Sequence, residues 1–350
     1  MRDKLRVAFV GAGFMAQSAH IPNFLSLPEI EAVALAEPRA NLAKKVAEYH
    51  HIPRVVSSHK DIAAMDEVDA VVAIMSEALH PAVAVDLLNA GKHVFIEKPL
   101  APSVAVGEKM VEASRASGRL LMVGYMKRYD AGVQHARQII AQCLSSCELG
   151  ELTMIRVHCF GGDWTCGAYP RFSTDEPVPN FTRSPGPAFL PNHWLQPFAT
   201  FVNVYCHNIN LLRFLAQDEP QVLSAHRRGH TWLAAMSIGD ALVSFEAGSI
   251  SAHSWDEHVS FYFRHGRVDV FTPPPLLKNV SARVVVYRAG EEQQVVERLS
   301  PWVWGFQKEA EAFVSCCLHG EPCLSPAEDA LQDLVVAERI AQQAITTEYP

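Results

Sequence analysis

The sequence contains no uninterrupted apolar run of about 18 residues, the length that a membrane-spanning helix requires. It also contains no basic tract, and 38 acidic residues outnumber 30 basic residues to give a net charge of −8. We therefore expect neither contact with a membrane nor a nucleic-acid-binding surface. The first apolar run is short and passes directly into a glycine turn, which favours a strand over a signal peptide and predicts a cytoplasmic protein.

Signatures of metal sites and disulfides are missing as well. The 16 histidines are scattered without a His-Glu-x-x-His pattern, so the sequence predicts no metal site. The eight cysteines form no Cys-x-x-Cys pair, and we expect them to be reduced and mostly buried. A length of 350 residues, with 49% hydrophobic and 19% charged residues, fits a globular protein of two domains.

The first 125 residues alternate short apolar runs with segments of helical periodicity. The strand candidates are Leu5–Val10, 32–36, 70–74, 93–96 and 120–123, and the helix candidates are 15–26, 41–49, 81–89 and 104–117. Such alternation is typical of an α/β domain with a doubly wound parallel sheet. We therefore predict a dinucleotide-binding Rossmann domain over residues 1–125.

The pattern changes after residue 125. Helices are predicted at 130–144, 203–215, 305–318 and 326–346, strands at 154–160, 242–245, 259–264, 267–271 and 283–287, and a long irregular segment at 161–197. Successive strands predict an α+β domain over residues 126–350, built on a largely antiparallel open sheet. The last two predicted helices, at 305–318 and 326–346, could still pack against the N-terminal domain.

A glycine turn follows the first strand candidate. Gly11 and Gly13, with Phe14 and Met15 at the start of the next helix, would let backbone amides approach the pyrophosphate of a dinucleotide. Ala16 replaces the third glycine of the usual pattern. A tight turn without a ligand is the alternative, but the preceding strand and the following helix favour the binding site.

Glu37 ends the next strand at about the spacing expected for a carboxylate that holds the adenosine ribose hydroxyls. Its charge would repel a 2′-phosphate and favour NAD. Arg39 follows closely and could instead bind that phosphate, which leaves NADP open. A solvated strand end without a ligand is the alternative for Glu37.

Lys98 follows the strand at 93–96, with Glu97 before it and Pro99 after it. Proline favours extended backbone in its predecessor, which could aim the lysine across a cleft at the carboxyl edge of the sheet. A lysine there can polarise a carbonyl or hydroxyl group. A surface lysine at a strand end is the alternative.

With these residues the chain resembles the Gfo/Idh/MocA oxidoreductases, the family of glucose–fructose oxidoreductase and inositol dehydrogenase. The resemblance covers nearly the whole chain. It is carried by Gly11-Ala12-Gly13, by 76–80 (SEALH), by 91–100 (GKHVFIEKPL), by 124–130 (GYMKRYD) and by the closing motifs at 306–309 (FQKE) and 328–331 (EDAL). Ser76, His80 and Glu97 are accordingly added to the expected cofactor contacts.

The resemblance implies that Lys98 orients a sugar or polyol hydroxyl group and that the segment 203–210 (NVYCHNIN) supplies a general base. Relatives that oxidise polyols carry Asp, His and Asp at the first, fifth and eighth positions of this segment. His207 keeps its place, whereas Asn203 and Asn210 replace both carboxylates. Asn203 and His207 share a helical face, so the amide can orient the ring without supplying a charge. A structural histidine, or proton transfer by another residue, stays open.

The irregular segment is expected to form part of the substrate wall. Its candidates are Asp163, Trp164, Tyr169, Arg183, His193 and Trp194, to which we add Tyr125 and Arg128 after the last Rossmann strand. Aromatic rings there could stack on a sugar, and charged groups could bind hydroxyls or a carboxylate. For each residue taken alone, ordinary packing is the alternative.

The resulting hypothesis is an NAD(P)-dependent dehydrogenase or reductase that acts on a hydroxyl or keto carbon of a sugar, cyclitol or related polyol. Two alternatives stay open: a redox-neutral enzyme that oxidises a sugar transiently before elimination or hydrolysis, and a non-catalytic dinucleotide sensor. In the family that the chain resembles, the second domain has an open sheet face that usually becomes buried between subunits, so the resemblance implies a homodimer or homotetramer.

Overall fold

The computed structural model describes residues 4–251 and 253–347 and divides into two compact units. The first unit holds the chain up to Tyr125, together with Gly167–Phe189 and Phe306–Leu334. The second unit holds Met126–Cys166, Leu190–Gly305 and the chain from Val335 onward.

The first unit is built on a six-stranded parallel sheet in the order β3-β2-β1-β4-β5-β6. Its strands are β1 (Leu5–Val10), β2 (Ile30–Ala36), β3 (Val55–Val56), β4 (Ala70–Ala73), β5 (His93–Glu97) and β6 (Leu121–Gly124). The order reverses between β1 and β4, the position at which open α/β sheets bind ligands beyond the carboxyl ends of their strands. The predicted doubly wound parallel sheet is confirmed.

Helices connect these strands. A π-helical turn (Ala16–His20) continues into α1 (Ile21–Leu25), followed by α2 (Ala40–His50), α3 (His59–Ala63), α4 (His80–Asn89) and α5 (Val104–Ser117). Strand β4 is buried at every position, as expected for a parallel strand with helices on both sides.

A cluster of phenylalanine rings explains why part of the C-terminal sequence belongs to the first unit. Helix α8 (Gly305–His319) carries Phe313, which packs edge to face against Phe24 and Phe95 with ring centroids 5.9 and 5.7 Å apart. Burial of these large rings holds α8 against the parallel sheet. Residues 306–334 thus lie in the first unit, which is the return of the closing helices that the predicted division left open.

The segment 167–189 also belongs to the first unit rather than to the second domain expected from the sequence. The Gln17 side chain donates to the Phe172 carbonyl at 3.0 Å and accepts from the Phe172 amide at 2.9 Å. The Ser184 amide donates to the Ala78 carbonyl at 2.9 Å. These hydrogen bonds join positions far apart in the chain, which a local sequence pattern does not report.

The second unit is built on an eight-stranded sheet in the order β14-β13-β12-β11-β7-β10-β9-β8. Its strands are β7 (Leu152–Gly162), β8 (Gln221–Arg228), β9 (Thr231–Ile238), β10 (Ala241–Ala247), β11 (Trp255–Phe263), β12 (Gly266–Phe271), β13 (Arg283–Arg288) and β14 (Gln294–Arg298). Strands β7 and β10 are parallel and the other neighbours are antiparallel. The predicted, largely antiparallel sheet is confirmed.

Its helices follow a 3-10 turn (Met126–Tyr129). They are α6 (Ala131–Ser146), α7 (Asn192–Ala216) and the end of α9 (Ala327–Thr346). Helix α7 begins eleven residues earlier than the predicted helix at 203–215, because the sequence before it resembles a loop in its proline and polar content. Among the residues the structure describes, no helix combines the length and the apolar character that crossing a membrane demands.

The two faces of this sheet differ. Along β9 the side chains alternate between exposed and buried, which is typical of a sheet covered on one side. Leu223, Leu233 and Leu242 are 52%, 50% and 58% exposed, so apolar side chains lie uncovered on this unit.

All eight cysteines are free thiols, but only three of them are buried, so the prediction of mostly buried cysteines was wrong.

Candidate active site

The carboxyl edge of the parallel sheet gathers most of the residues predicted to bind the cofactor. Gly11 follows β1, Glu37 follows β2, Ser76 follows β4, and Lys98 follows β5. Because these strands are parallel neighbours, their ends meet on the same edge of the first unit. This convergence arises from the topology alone.

The glycine turn is shaped for close approach of a ligand. Gly11 has a φ of +91°, and a Cβ at this position would lie 2.1 Å from the Ile74 carbonyl oxygen. Only glycine fits such a position. At Gly13 no described atom lies within 4 Å of an added Cβ, so the turn leaves open space there. The residues present therefore fit a pyrophosphate group, which needs amides and room at a helix N-terminus.

Glu37 binds the glycine turn itself. The Ala12 amide donates to Glu37 Oε2 at 2.9 Å, and the carboxylate is 3% exposed. Arg39 Nε and Nη2 donate to the two oxygens of the same carboxylate at 2.7 and 2.9 Å. This bidentate hydrogen bond to Glu37 raises the pKa of Arg39. The two residues that were predicted to compete for the ribose end of the cofactor thus form one ion pair.

A second carboxylate lies beside this pair. The Asn41 amide donates to Glu176 at 3.1 Å and the Leu42 amide donates at 3.2 Å, both in the first turn of α2. The Asn41 hydrogen bond, with a further one from the Thr174 hydroxyl, lowers the pKa of Glu176. Glu176 was not among the predicted site residues, because nothing in the sequence links it to a helix more than a hundred residues away.

Lys98 lies half-buried at the end of β5, and the Lys98–Pro99 peptide bond is cis. The Lys98 amide donates to Glu97 Oε2 at 3.0 Å. Glu97 Oε1 lies 2.6 Å from His20 Nε2 in the interior of the unit. Glu97 therefore makes an internal hydrogen bond with His20 and supports the backbone of Lys98, while its predicted contact with the cofactor stays a prediction.

The charge state of Glu97 follows from this pair. Burial alone raises the pKa of Glu97, but the hydrogen bond with His20 and the electrostatic attraction of His20 and Lys98 outweigh it and hold the pKa below its usual value. His20 was missed by sequence analysis, since its partner lies on a different strand.

His80 also differs from expectation. Its ring is fully buried, with Nδ1 2.9 Å from the Pro99 carbonyl oxygen and Nε2 3.2 Å from the Met75 carbonyl oxygen. Burial lowers the pKa of His80, although the Pro99 hydrogen bond opposes it. The side chain therefore ties the turn after β4 to the turn after β5, and its predicted contact with a cofactor stays a prediction.

A buried acid lies close to this arrangement. Glu309 on α8 is 0% exposed, and among the described residues neither of its carboxylate oxygens has a hydrogen-bond partner. Burial, followed by the negative charge of Glu97, raises the pKa of Glu309 well above its ordinary value. The directions of the two shifts favour the neutral acid at Glu309 and the carboxylate at Glu97.

In the second unit, α7 carries the segment predicted to hold the base. Asn203 is exposed and His207 is half-buried one helical turn later, on the same helical face. Asn210 is buried, and its Oδ1 accepts a hydrogen bond from Arg128 Nε at 2.7 Å. Arg128 also lies over the Phe214 ring, 5.1 Å from its centroid. Arg128 thus holds α7, while its predicted contact with substrate stays a prediction.

A buried polar cluster lies next to this helix. Glu257 Oε1 accepts a hydrogen bond from Asn208 Nδ2 at 2.7 Å and forms an ion pair with Lys127. Thr272 and Trp255 donate to Oε2 of the same carboxylate. Sequence analysis missed this cluster, because Lys127 and Glu257 are each inconspicuous in their own segments.

The predicted substrate wall is divided between the units. Tyr169 and Arg183 belong to the first unit, whereas Asp163, Trp164, His193 and Trp194 belong to the second. Trp164 is 42% exposed, and Asp163 Oδ1 accepts the Thr165 amide at 2.9 Å within a local turn.

Two of the aromatic candidates pack in the interior instead. Trp194 is buried on α7, with its ring centroid 5.7 Å from that of Trp232. Tyr125 is also buried, at 1% exposure. Both residues therefore serve the core, while His193 lies exposed at the start of α7.

Comparison with known proteins agrees with the geometry of the first unit. Residues 5–125 match the family Gfo/Idh/MocA, described as an oxidoreductase family with an NAD-binding Rossmann fold. Over this Rossmann segment the chain is similar to the Gfo/Idh/MocA oxidoreductases. The resemblance drawn from its motifs is confirmed.

Among curated relatives, an inositol 2-dehydrogenase/D-chiro-inositol 3-dehydrogenase from Shouchella clausii is 35% identical over 155 residues, covering 43% of each chain. The chain spans 43% of the length of that enzyme, 59% and 50% of the inositol 2-dehydrogenases from Acidiphilium cryptum and Salmonella paratyphi B, and 90% of the one from Rubrobacter xylanophilus, to which it is 26% identical.

Two solved structures share the fold. The 3-ketoreductase KijD10 from Actinomadura kijaniata, in complex with NADP and TDP-benzene, is 20% identical with a TM-score of 0.74, covering 97% of this chain and 98% of that one. The aldose–aldose oxidoreductase from Caulobacter crescentus, complexed with glycerol, is 20% identical with a TM-score of 0.74, covering 99% of this chain and 98% of that one.

Proposed function

We propose that the chain is a member of the Gfo/Idh/MocA family and an NAD(P)-dependent oxidoreductase that transfers a hydride between the nicotinamide and a hydroxyl or keto carbon of a sugar, cyclitol or related polyol. The observation that carries the proposal is the shared sheet edge, where the glycine turn, Glu37 and Lys98 follow neighbouring parallel strands. One relative is named as an inositol dehydrogenase and one solved structure as an aldose–aldose oxidoreductase, and these names support the substrate class.

Each residue has a distinct part in this proposal. The amides of the turn at Gly11 and Gly13 would bind the pyrophosphate, and Glu37 would bind the adenosine ribose. The cofactor, when bound, supplies the hydride chemistry. The Lys98 ammonium group would hydrogen-bond the reacting oxygen of the substrate and stabilise negative charge there as its proton leaves. His207 on α7 would accept that proton as general base.

We further propose that NAD is preferred over NADP. Two carboxylates, Glu37 and Glu176, lie around Arg39 and the N-terminus of α2. An arginine at this position can accommodate a 2′-phosphate, but here its guanidinium group is already paired with Glu37. A phosphate would therefore meet negative charge in place of a free cation.

A redox-neutral reaction is the second candidate. Asn203 and Asn210 stand where polyol-oxidising relatives carry carboxylates, so His207 has amide neighbours in this segment. In such a reaction a hydride passes from the sugar to the bound NAD and later returns to the sugar. No hydride is therefore transferred in net terms to free NAD. Nucleotide that co-purifies and does not exchange would favour this candidate.

Association into a homodimer or homotetramer is proposed from the open sheet of the second unit. Leu223, Leu233 and Leu242 lie at least half exposed on its strands. Apolar side chains of this kind favour burial against another surface. Light scattering after size exclusion measures the mass directly. We also propose a cytoplasmic location, with which eight free thiols are consistent.

The test begins with the purified full chain, examined for bound nucleotide and then titrated with NAD(H) and NADP(H) by fluorescence. We expect exchangeable binding with NAD preferred, and NADH formation with at least one member of a panel of inositols and aldoses. Failure to bind either nucleotide would overturn the proposal. Tight binding without turnover across the panel would favour a dinucleotide sensor.

A further inference from the structure

A row of charged and imidazole side chains crosses the open face of the second unit's sheet. In the strand register, Glu246 on β10 lies opposite His158 on β7, and His158 lies opposite His258 on β11. Residues in register on adjacent strands project on the same side of a sheet. Asp256 lies two residues before His258 on β11, so both side chains project from the same face of the sheet.

The ligand atoms in this row are close together. His158 Nε2 lies 3.1 Å from Asp256 Oδ2, and His258 Nδ1 lies 3.8 Å from Asp256 Oδ1. One nitrogen of each ring and one carboxylate oxygen all lie within 4.8 Å of one another. The two imidazole rings are stacked, with centroids 4.8 Å apart. Atoms bound to one zinc ion at about 2.0–2.2 Å fall within such a spread.

The fourth residue of the row has the geometry of an outer-shell partner. Glu246 Oε2 lies 2.9 Å from His158 Nδ1, so it can fix the ring with Nε2 directed at Asp256 and His258. A histidine that binds a metal usually donates its other ring N–H to a carboxylate in this way. Glu246 also accepts two hydrogen bonds from Arg156, at 3.0 and 2.7 Å, which balance its charge and leave it outside the ligand set.

We propose that His158, Asp256 and His258 form a binding site for a divalent transition metal of the zinc class, with Glu246 orienting His158. Two imidazoles and one carboxylate are ligands that zinc accepts, and three protein ligands leave a position for water. Calcium and magnesium prefer sites made of oxygen atoms. The sequence predicted no metal here, because the ligands lie on two strands that are about a hundred residues apart.

The competing explanation is a plain ion-pair network, in which a protonated His158 joins Glu246 and Asp256. The two explanations differ over His258. Its Nδ1 lies 3.8 Å from the nearest oxygen of Asp256, which is beyond hydrogen-bond distance. An ion-pair network has no need of this residue, whereas a metal site loses a ligand without it.

The experiment uses the full chain, stripped with a chelator, dialysed and titrated with Zn²⁺ alone by calorimetry. We expect one bound ion per chain. His258→Ala should abolish the saturable binding, and Glu246→Gln should weaken it about tenfold, the loss typical of an outer-shell partner. His226→Ala is the matched control, because His226 is exposed on β8 and lies two strands away from Glu246 in the same row.

Metal content measured by elemental analysis gives a second readout that does not depend on enzymatic activity. Thermal unfolding of each variant establishes that the fold is retained. Absence of saturable Zn²⁺ binding in the unmodified protein, or equal affinity in His258→Ala and His226→Ala, would overturn the proposal. Neither outcome bears on nucleotide binding by the first unit, so the proposed function is judged separately.

Discussion

The two units of this protein differ in how their predicted site residues are used. In the first unit Gly11, Gly13, Glu37 and Lys98 follow strand ends and lie on one edge of the parallel sheet. In the second unit Arg128 and Trp194, both predicted to contact substrate, are buried and hold other parts of the fold. The difference teaches that the placement of residues at strand ends follows from a local turn and the topology, while the burial of Arg128 and Trp194 depends on partners far away in the sequence.

Removal of the Lys98 amine is expected to give the largest effect. Lys98→Ala should reduce kcat by about 10²–10⁴-fold, the range typical of a lost proton-transfer or polarising group. The dissociation constant for NAD should stay within about threefold, because the pyrophosphate and ribose contacts are elsewhere on the edge. Steady-state kinetics and fluorescence titration measure the two quantities on the same preparation.

Lys109→Ala provides the control for charge, since Lys109 is an exposed lysine of α5 in the same unit. It should leave both quantities unchanged. If Lys98→Ala kept the turnover of the unmodified enzyme, the catalytic role proposed for Lys98 would be wrong.

The two glycines of the turn offer a matched pair. Gly11→Ala should lower the free energy of unfolding by at least about 2 kcal/mol, because the new methyl group would meet the Ile74 carbonyl at 2.1 Å with φ at +91°. Gly13→Ala should change stability by less than about 0.5 kcal/mol, since open space surrounds it. It should nevertheless weaken NAD binding about tenfold if the pyrophosphate occupies that space.

Urea unfolding and nucleotide titration separate the two effects. Equal loss of stability in both variants would show that the turn serves folding alone. Unchanged NAD affinity in Gly13→Ala would remove the pyrophosphate from this position.

The same contrast explains what the sequence could predict. The parallel sheet, the glycine turn and the lysine after β5 were predictable, because hydrophobic period and turn chemistry are local properties. The internal roles of His80 and Glu97 were not, since their partners Pro99 and His20 are reached only through the fold. The start of α7 was missed because Pro197 lies inside the helix, where proline normally argues against one.

Cofactor preference should respond to Glu176. Glu176→Gln removes a negative charge at the first turn of α2 but keeps the size of the side chain. We expect the ratio of NADP to NAD affinity to rise about fivefold, as expected for loss of repulsion near 1 kcal/mol in a solvated site. Asp175→Asn makes the same change of charge at the exposed neighbouring residue and should have a smaller effect. Equal responses would show that only the overall charge of the segment matters.

The smallest expected effect concerns Glu309 and the pH dependence of stability. Folding raises the pKa of this buried carboxyl above its ordinary 4.5. The protonated group therefore stabilises the folded state fully below that pH, and the contribution is lost as the pH rises toward the folded-state pKa. Glu309→Gln cannot ionise, so its melting temperature should fall less between pH 5 and pH 8 than that of the unmodified protein.

At pH 8 the variant should melt about 2–4 °C higher, which corresponds to about 1 kcal/mol for a domain of this size. Differential scanning calorimetry across the pH range measures this slope, with Glu108→Gln on the exposed side of α5 as control. A slope that stays the same in Glu309→Gln would mean that Glu309 is ionised in the folded protein. The negative charge would then have to be balanced beside Glu97, and the division of this pair into one neutral and one ionised carboxyl group would be wrong.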